Sequence, residues 1–166
     1  MISVSPQTTH SLKKSLSSGL LLVGLASPTT SIMAEPATIE RWFFDEYVNS
    51  YLNEAPDFYT AHYTADVRFV TPGSAELLAL DNLITAMNVA YVEPWVARGW
   101  STTKAVSADV EQLSAETYLL SAEWSMTDAD GEPVTHCARP VWHYLITTAG
   151  SSSPRIYSEI QGDCIE

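Results

Sequence analysis

The spacing of the hydrophobic residues changes once along this chain, close to Gly99 and Trp100. Before that point, apolar side chains recur every three to four residues, which is typical of amphipathic helices. After it, apolar and polar residues alternate, and Thr, Val, Tyr, Trp and Ile are frequent, which indicates β-strands. Helices followed by an antiparallel meander predict an α+β domain with helices packed on one face of a curved sheet.

Two helices are expected before the first strand. Thr38 is a suitable N-cap for a helix over 38–53. Pro56 interrupts that helix, because proline cannot continue the backbone hydrogen bonding, and it begins a second helix that ends near Asp66.

A short strand and a third helix complete the first half of the chain. Residues 67–71 are β-branched and aromatic, which predicts a strand closed by Pro72-Gly73. The leucine-rich pattern over 77–98 predicts the third helix, with Pro94 ending or kinking it.

Strands are expected over the remainder of the chain, at 101–112, 116–127, 134–147 and 154–162. The segment from Asp128 to Gly131 favours a hairpin between the second and third of these, because glycine supplies the positive φ that such turns need. The polar loop around Gly150 favours another.

The first residues of the chain have the pattern of a secretory signal peptide. Lys13 and Lys14 precede a short apolar run, and small residues follow it. The run is too short for a membrane span, which needs about 20 apolar residues. We therefore predict a signal peptide over 1–34, a mature domain over 35–166 with no membrane span after cleavage, and a periplasmic or secreted location. A disordered leader or an uncleaved anchor is the alternative.

The chain is acidic, with 20 Asp and Glu against 8 Lys and Arg, a net charge of −12. Removing the leader takes two lysines with it and makes the charge −14. Such a surface repels nucleic acid and anionic membranes. Nucleic-acid binding is therefore not expected.

Two cysteines, Cys137 and Cys164, lie on either side of the turn at Gly150. If residue numbers that sum to about 301 face each other across the last hairpin, the two thiols are opposite one another. An exported protein meets an oxidising compartment where disulfides persist. We predict a disulfide between them; two buried free thiols are the alternative.

The order of these elements resembles that of a known superfamily. The segments HYTADVRFVTPG, after two helices, and ETYLLSAEWSMTDADG, on a later strand, are similar to the nuclear transport factor 2-like proteins, which include SnoaL-like cyclases and ketosteroid isomerases. The resemblance covers about 38–162. It implies a cone-shaped half-barrel in which a bent sheet wraps the helices and leaves a pocket at its wide end. It also implies a possible homodimer through the outer sheet face.

Tyr47 falls where the isomerases hold the tyrosine that hydrogen-bonds the substrate oxygen. Thr71 falls where they carry the aspartate base, if one residue of this chain is skipped. A threonine hydroxyl is not a usable general base near neutral pH without a partner to take its proton. The resemblance therefore does not extend to dienolate chemistry of that kind.

His62 and His143 are the candidate acid–base residues. The assumed register of the last hairpin places Glu159 close to His143, and Glu123 near Arg139. Inside the cone, these pairs would form an acid–base site, because a carboxylate raises the pKa of an imidazole and orients it. On the outer face, the alternative that we favour, they would form a salt-bridged dimer surface.

We expect the protein to bind a small apolar or aromatic molecule. The candidate ligand-binding residues are mostly aromatic: Trp42, Tyr51, Phe58, Thr71, Trp124 and Trp142. No cofactor or metal is expected, since the spacings HxxxH, HxH and CxxC do not occur.

Two other functions remain open. The first is a cofactor-independent SnoaL-like lyase, isomerase or cyclase, with Tyr47 as donor and His62 or His143 as base. The second is a scaffold that oligomerises or binds partners through its sheet. Tyr47 itself has a simpler interpretation, as a core tyrosine bonded to backbone or water.

Overall fold

The structure, a computed structural model, describes residues 35–54 and 57–165. The predicted signal peptide over 1–34 and the predicted helix break at Pro56 lie outside these residues. Within the described part of the chain, no helix is both long enough and apolar enough to cross a membrane.

The first helix runs without interruption through α1 (Pro36–Trp42), a π-helical turn (Phe43–Val48) and α2 (Asn49–Leu52). Glu35 is its N-cap residue, so the prediction of Thr38 was wrong by three positions. Pro36 is the reason. Its fixed φ suits the first turn of a helix, and its missing N–H removes a donor that would have no partner there. The backbone carbonyl of Glu35 accepts from the Thr38 N–H at 2.8 Å.

The second helix is short and the first strand is longer than predicted. Helix α3 is Phe58–His62, and strand β1 is Tyr63–Thr71. The β1 strand turns at Pro72-Gly73, where Gly73 has φ 91°, into a strand that the sequence did not reveal, β2 (Ser74–Ala79). The leucines of β2 continue the helical spacing of the residues that follow it, which hid the hairpin.

The last helical segment also contains a π-helical turn. It comprises α4 (Leu80–Met87), the turn Asn88–Val92 and α5 (Glu93–Ala97). Pro94 lies in the first turn of α5 and does not end the helix. π-Helical turns are rare and often mark functional sites. Here each of the two carries a tyrosine of the cavity described below, Tyr47 and Tyr91.

Four long strands follow, β3 (Thr102–Ser114), β4 (Thr117–Thr127), β5 (Pro140–Thr147) and β6 (Arg155–Cys164). They and the first hairpin form one sheet of order β2-β1-β6-β5-β4-β3. All neighbours are antiparallel except β1 and β6, which are parallel. We expected an antiparallel sheet, but the sheet is mixed, because β1 and β6 lie next to each other in it and run in parallel. The α+β cone fold is confirmed.

The inner face of the sheet packs against the first helix. On β4 and β5, the alternating side chains Tyr118, Leu120, Ala122, Trp124, Met126, Trp142, Tyr144 and Ile146 are buried. They contact Ile39, Phe43 and Tyr47 of the helix within one core cluster.

The predicted disulfide between Cys137 and Cys164 is present, with the Cα atoms 6.3 Å apart. The register from which it was predicted is wrong. Residues 134–139 form a loop and not a strand, and β5 begins at Pro140, which itself faces Cys164. The disulfide therefore ties the loop to the end of β6.

Candidate functional site

A cavity opens between the helices and the inner face of the sheet. Its volume is about 60 Å³. Aromatic rings, methionines and one carboxyl group line it, from Tyr47, Tyr51, Tyr59, Met87, Tyr91, Val92, Trp95, Trp124, Met126, Trp142, Tyr144 and Glu159.

Each wall of the cavity comes from a different part of the chain. The first helix supplies Tyr47 and Tyr51, and the helical segment 80–97 supplies Tyr91 and Trp95. The alternation of the strands directs Trp124, Trp142 and Tyr144 inward from β4 and β5. Pairing in the last hairpin sets Glu159 directly opposite Tyr144, on the same inner face.

Three polar groups form a chain of hydrogen bonds at this cavity. The Tyr63 hydroxyl donates to Oε2 of Glu159 at 2.8 Å, and the hydroxyls of Tyr47 and Tyr63 are 2.9 Å apart. A phenol has one proton to donate. Because Tyr63 donates its proton to Glu159, Tyr47 is the donor in its bond to Tyr63. The Tyr47 hydroxyl therefore cannot at the same time donate to a ligand.

Burial changes the acidity of Glu159. Its side chain is only 2% exposed, and desolvation raises the pKa of the carboxyl to about 7, although the hydrogen bond from Tyr63 lowers it. Glu159 thus titrates near neutral pH. A carboxyl of this kind can hold or release a proton under ordinary conditions.

The tyrosines around Glu159 stay neutral in the same pH range. Desolvation, followed by the charge of neighbouring groups that include Glu159, raises the pKa of Tyr47, Tyr63 and Tyr144 well above the ordinary value. The pKa of Tyr91 rises to about 12 from the same two causes. Glu159 is the group of this cluster that changes charge near neutrality.

Four of the predicted site residues line the cavity: Tyr47, Tyr51, Trp124 and Trp142. Trp42 and Phe58 are buried behind Tyr47, with ring centroids 5.9 and 5.0 Å from its ring. Thr71 lies half-buried at the end of β1 and is not among the lining residues. Thr71, the residue that the resemblance aligned with the isomerase base, therefore does not line the cavity.

His62 also lies behind Tyr47, with the two ring centroids 5.5 Å apart. Among the described residues, neither ring nitrogen of His62 has a hydrogen-bond partner. Desolvation, and then the positive charge of Arg155, lowers the pKa of the imidazole, although Asp57 raises it. The ring is thus a buried, neutral part of the core and does not line the cavity.

His143 lies on the outer face of the sheet, where its Nδ1 is 2.7 Å from the Ser121 hydroxyl. The predicted proximity of His143 and Glu159 was wrong, because β5 and β6 pair one residue away from the register that this contact requires, and a shift of one residue turns a side chain to the other face of the sheet. Ile160 faces His143, and Glu159 faces Tyr144. His143 and Glu159 therefore point to opposite faces, and His143 cannot act as a base in the cavity.

The other predicted pair is present on the outer face. Arg139 Nη2 donates to Oε2 of Glu123 at 2.7 Å, and Arg139 Nε donates to Oε1. The Ser107 hydroxyl adds a third donor at 3.2 Å. The hydrogen bonds from Arg139 are the main reason that the pKa of Glu123 is lowered. A homodimer through this face remains a prediction.

Sequence reasoning placed Glu159 beside His143, whereas its neighbours are tyrosines, and it missed Tyr63, Tyr91 and Trp95. Tyr63 was assigned to a helix, and its contact with Glu159 depends on the parallel pairing of β1 with β6. A period-two pattern beginning at Tyr63 was the available signal, but the strand begins immediately after α3.

One group of possible metal ligands meets within the described residues, away from the cavity. The ligand atoms of His136, Cys137 and Cys164 lie within 4.8 Å of one another. Both sulfur atoms belong to the disulfide. One imidazole remains, which is too few ligands for a protein metal site.

Comparison with known proteins agrees with this architecture. Residues 34–161 match the family model of an NTF2-like protein, DUF6841. The chain belongs to this family of NTF2-like proteins. A search of curated proteins finds no match.

Several solved structures share the fold. An NTF-2 like protein of unknown function from Shewanella oneidensis MR-1 has a TM-score of 0.56 and 14% identity, over 78% of this chain and 100% of that one. An uncharacterised protein with a cystatin-like fold from Caulobacter vibrioides has a TM-score of 0.56 and 12% identity, over 80% and 92%. A ketosteroid isomerase-like protein from Erwinia carotovora atroseptica has a TM-score of 0.51 and 16% identity, over 76% and 94%. At these identities the likeness concerns the fold alone.

Proposed function

We propose that this protein binds a small, largely apolar molecule in the aromatic cavity, with Glu159 as its polar anchor. The observation that carries this proposal is a single buried carboxyl group set among aromatic rings in an open cavity. Cavities with apolar walls and a few convergent polar groups are the usual form of small-molecule sites. A protein that served only as a scaffold would have a cone filled by its own side chains, whereas a cavity lies between the helices and the sheet of this domain.

The size of the cavity limits the ligand. One water needs roughly 10 to 15 Å³ of cavity measured in this way, so about 60 Å³ holds about four to six waters or a group of similar size. This favours a compact ligand, or the compact end of a longer one, over a flat molecule of several fused rings.

The described domain suits an exported protein. The disulfide between Cys137 and Cys164 supports export, because disulfides persist in the periplasm and outside the cell. We therefore propose that the ligand is met there. Fractionation of cells that express the full chain tests the location, and full-length protein in the cytosol would contradict it.

A second function, proton-transfer catalysis, is favoured by the pKa of Glu159. A general base is most effective when its pKa is near the working pH, and this carboxyl titrates at about 7. In that case Glu159 removes a proton from carbon or oxygen of the bound molecule. The base in this proposal is Glu159 and not the predicted His62 or His143, because neither histidine lines the cavity. Deuterium uptake from D₂O into small carbonyl compounds, lost in Glu159→Gln, tests this function.

Methionine methyl groups provide the test of binding. The chain has four methionines, and two of them, Met87 and Met126, line the cavity. We would label their methyl groups with ¹³C and add tert-butanol, phenol, choline and acetate separately. At least one of these compounds should shift both methyl signals and reach saturation.

A matched pair of variants locates the binding. Val92 lines the cavity, whereas Val96, one turn later, is 59% exposed. Val92→Trp should fill the cavity and abolish the shifts, and Val96→Trp should leave them unchanged. If no compound gives a saturable shift, or if Val92→Trp responds like the wild type, the proposal is wrong.

A further inference from the structure

The cavity contains an acidic group without a basic one, which is unusual for a site that binds neutral molecules. No Lys, Arg or His is present among the described residues that line it, and Glu159 is its one carboxyl. Oε2 of Glu159 accepts from Tyr63, and no donor from the described residues reaches Oε1. One oxygen of a buried acid thus remains to bind something else.

The rings around this carboxyl stand at steep angles to one another. The ring centroids of Tyr91 and Trp142 are 5.0 Å apart and the planes meet at 82°. Those of Tyr51 and Trp124 are 5.9 Å apart and meet at 72°. Walls set at right angles enclose a compact group on several sides. Aromatic boxes of this kind recognise quaternary ammonium groups, because the face of each ring is negative.

We propose that the ligand is a small organic cation, an alkylammonium ion whose charged end lies within the aromatic rings and beside Glu159. This inference rests on the proposed function and specifies the ligand class of the same cavity. The preference for a cation arises from the ring faces and from the carboxylate together. The net charge of −12 acts in the same direction, since an acidic protein attracts cations and repels anions.

Size and desolvation also favour this class. A trimethylammonium group has one nitrogen and three methyl carbons, which suits a cavity that holds about four to six waters. It is weakly hydrated for an ion and needs no hydrogen-bond acceptors. A neutral ligand offers the ionised Glu159 no opposite charge, so only the protonated carboxyl would be stable beside it.

The binding of a cation is linked to the charge of Glu159. The other titratable groups that face this carboxyl are tyrosines from the helices and from β1 and β5, namely Tyr47, Tyr51, Tyr59, Tyr63, Tyr91 and Tyr144. All of them have raised pKa values and stay neutral between pH 6 and 8. A cation prefers the ionised carboxyl, so its apparent affinity increases with pH. If the carboxyl titrates at about 7, it is about one-tenth ionised at pH 6 and about nine-tenths at pH 8, and the affinity rises about tenfold.

Two probes of equal shape test the inference by calorimetry on the mature protein. Choline carries a trimethylammonium group, and 3,3-dimethyl-1-butanol carries the neutral tert-butyl group in its place. At pH 8, choline should bind at least tenfold more tightly than the alcohol. Its affinity should fall about tenfold at pH 6, whereas that of the alcohol should not fall.

The variant Glu159→Gln keeps the shape of the side chain and removes the charge. In this variant, the preference for choline should shrink and its dependence on pH should disappear. The wild-type pH profile is an independent measurement, so the inference stays testable if the variant does not fold. Equal binding of the two probes, binding of the alcohol alone, or choline binding that is independent of pH would each overturn the inference and leave the proposed function standing. If no probe binds and the Met87 and Met126 methyl signals do not move, both fail.

Discussion

The Tyr63 hydroxyl donates a hydrogen bond to Oε2 of Glu159 at 2.8 Å, although the two residues are 96 positions apart in the chain. This contact exists because β1 and β6 lie side by side and parallel. It gives a buried acid one donor, and Tyr47 extends the chain of hydroxyls into the first helix. The hydrogen bonds at the cavity therefore depend on the pairing of β1 with β6, which the sequence did not reveal.

The buried carboxyl should make the protein less stable as the pH rises. The pKa of Glu159 is raised in the folded state from the ordinary value of 4.5 to about 7. Between about pH 4.5 and pH 7, the folded protein binds more protons than the unfolded chain. The free energy of unfolding therefore decreases as the pH rises through this range. The loss attributable to Glu159 is about 3 kcal/mol by pH 8.

Glu159→Gln should remove this loss. Urea unfolding at pH 5 and pH 8 checks it, with Glu116→Gln as the control, because Glu116 is an exposed acid in a turn. Relative to wild type, Glu159→Gln should gain stability as the pH rises, whereas the control should not. Parallel behaviour of the two variants would show that Glu159 does not titrate unusually.

Removing the Tyr63 hydroxyl should destabilise the protein more at high pH. In Tyr63→Phe, Oε2 of Glu159 loses its donor, and a buried group left unpaired costs about 1 to 3 kcal/mol. The cost should be larger at pH 8, where the carboxyl is ionised, than at pH 5. Tyr157→Phe is the control, since the half-buried Tyr157 hydroxyl forms no hydrogen bond with any described residue. A cost that does not change with pH would argue against the contact.

His62 should act in the opposite direction. The pKa of its imidazole is lowered in the folded state, first by desolvation. The unfolded chain therefore binds the proton more tightly, and the stability due to His62 is lost as the pH falls below about 6.5. His62→Phe should remove this acid sensitivity and raise stability at pH 5 by about 1 kcal/mol or more, since the ring nitrogens have no partner among the described residues.

In the wild type, Glu159 makes the free energy of unfolding decrease as the pH rises, whereas His62 makes it increase. The single variants are needed to separate these two opposite contributions. Thermal unfolding of His62→Phe between pH 5 and 7 provides the measurement, with the exposed His136→Gln as its control. If His62→Phe is less stable than wild type at pH 5, the imidazole has a partner or a role that the structure does not account for.

Loss of the disulfide should weaken the whole domain. Cys137 and Cys164 are 27 residues apart, and closing a loop of this length is worth about 3 to 4 kcal/mol in the chain-entropy model. Dithiothreitol should lower the free energy of unfolding of the wild type by this amount. The double variant Cys137→Ser/Cys164→Ser should show the same loss and no response to dithiothreitol. A response of the double variant would mean that the reductant acts elsewhere.

Much of the fold was predictable because its patterns are local. The period-two alternation after Gly99 indicated the later β-strands, and the turn chemistry near Gly150 gave the last hairpin. The chain also turns near Gly131, but β5 begins only at Pro140, so a longer loop than predicted joins β4 to β5. Gly131 has φ 88° and Gly150 has φ 67°, values that favour glycine. These features depend on neighbours in sequence, which a sequence shows directly.

The candidate site was less predictable because it depends on register and on distant pairing. The contact between Glu159 and His143 required a register one residue away from the observed one, and that difference places Glu159 on the inner face, opposite Tyr144. The parallel pairing of β1 with β6 has no local signal, so the contact between Tyr63 and Glu159 was not visible. Tyr47, by contrast, was identified through the resemblance to the isomerases, which depends on a continuous stretch of sequence.

The titration of the Glu159 carboxyl itself tests the account most directly. In protein labelled with ¹³C at the side-chain carboxyls of Glu, with Glu159→Gln used to assign the signal, the chemical shift can be followed from pH 4 to 9. We predict a midpoint near pH 7 for Glu159. A midpoint close to 4.5 would mean that the carboxyl is in water, and it would contradict an aromatic cavity with a buried acid as its anchor.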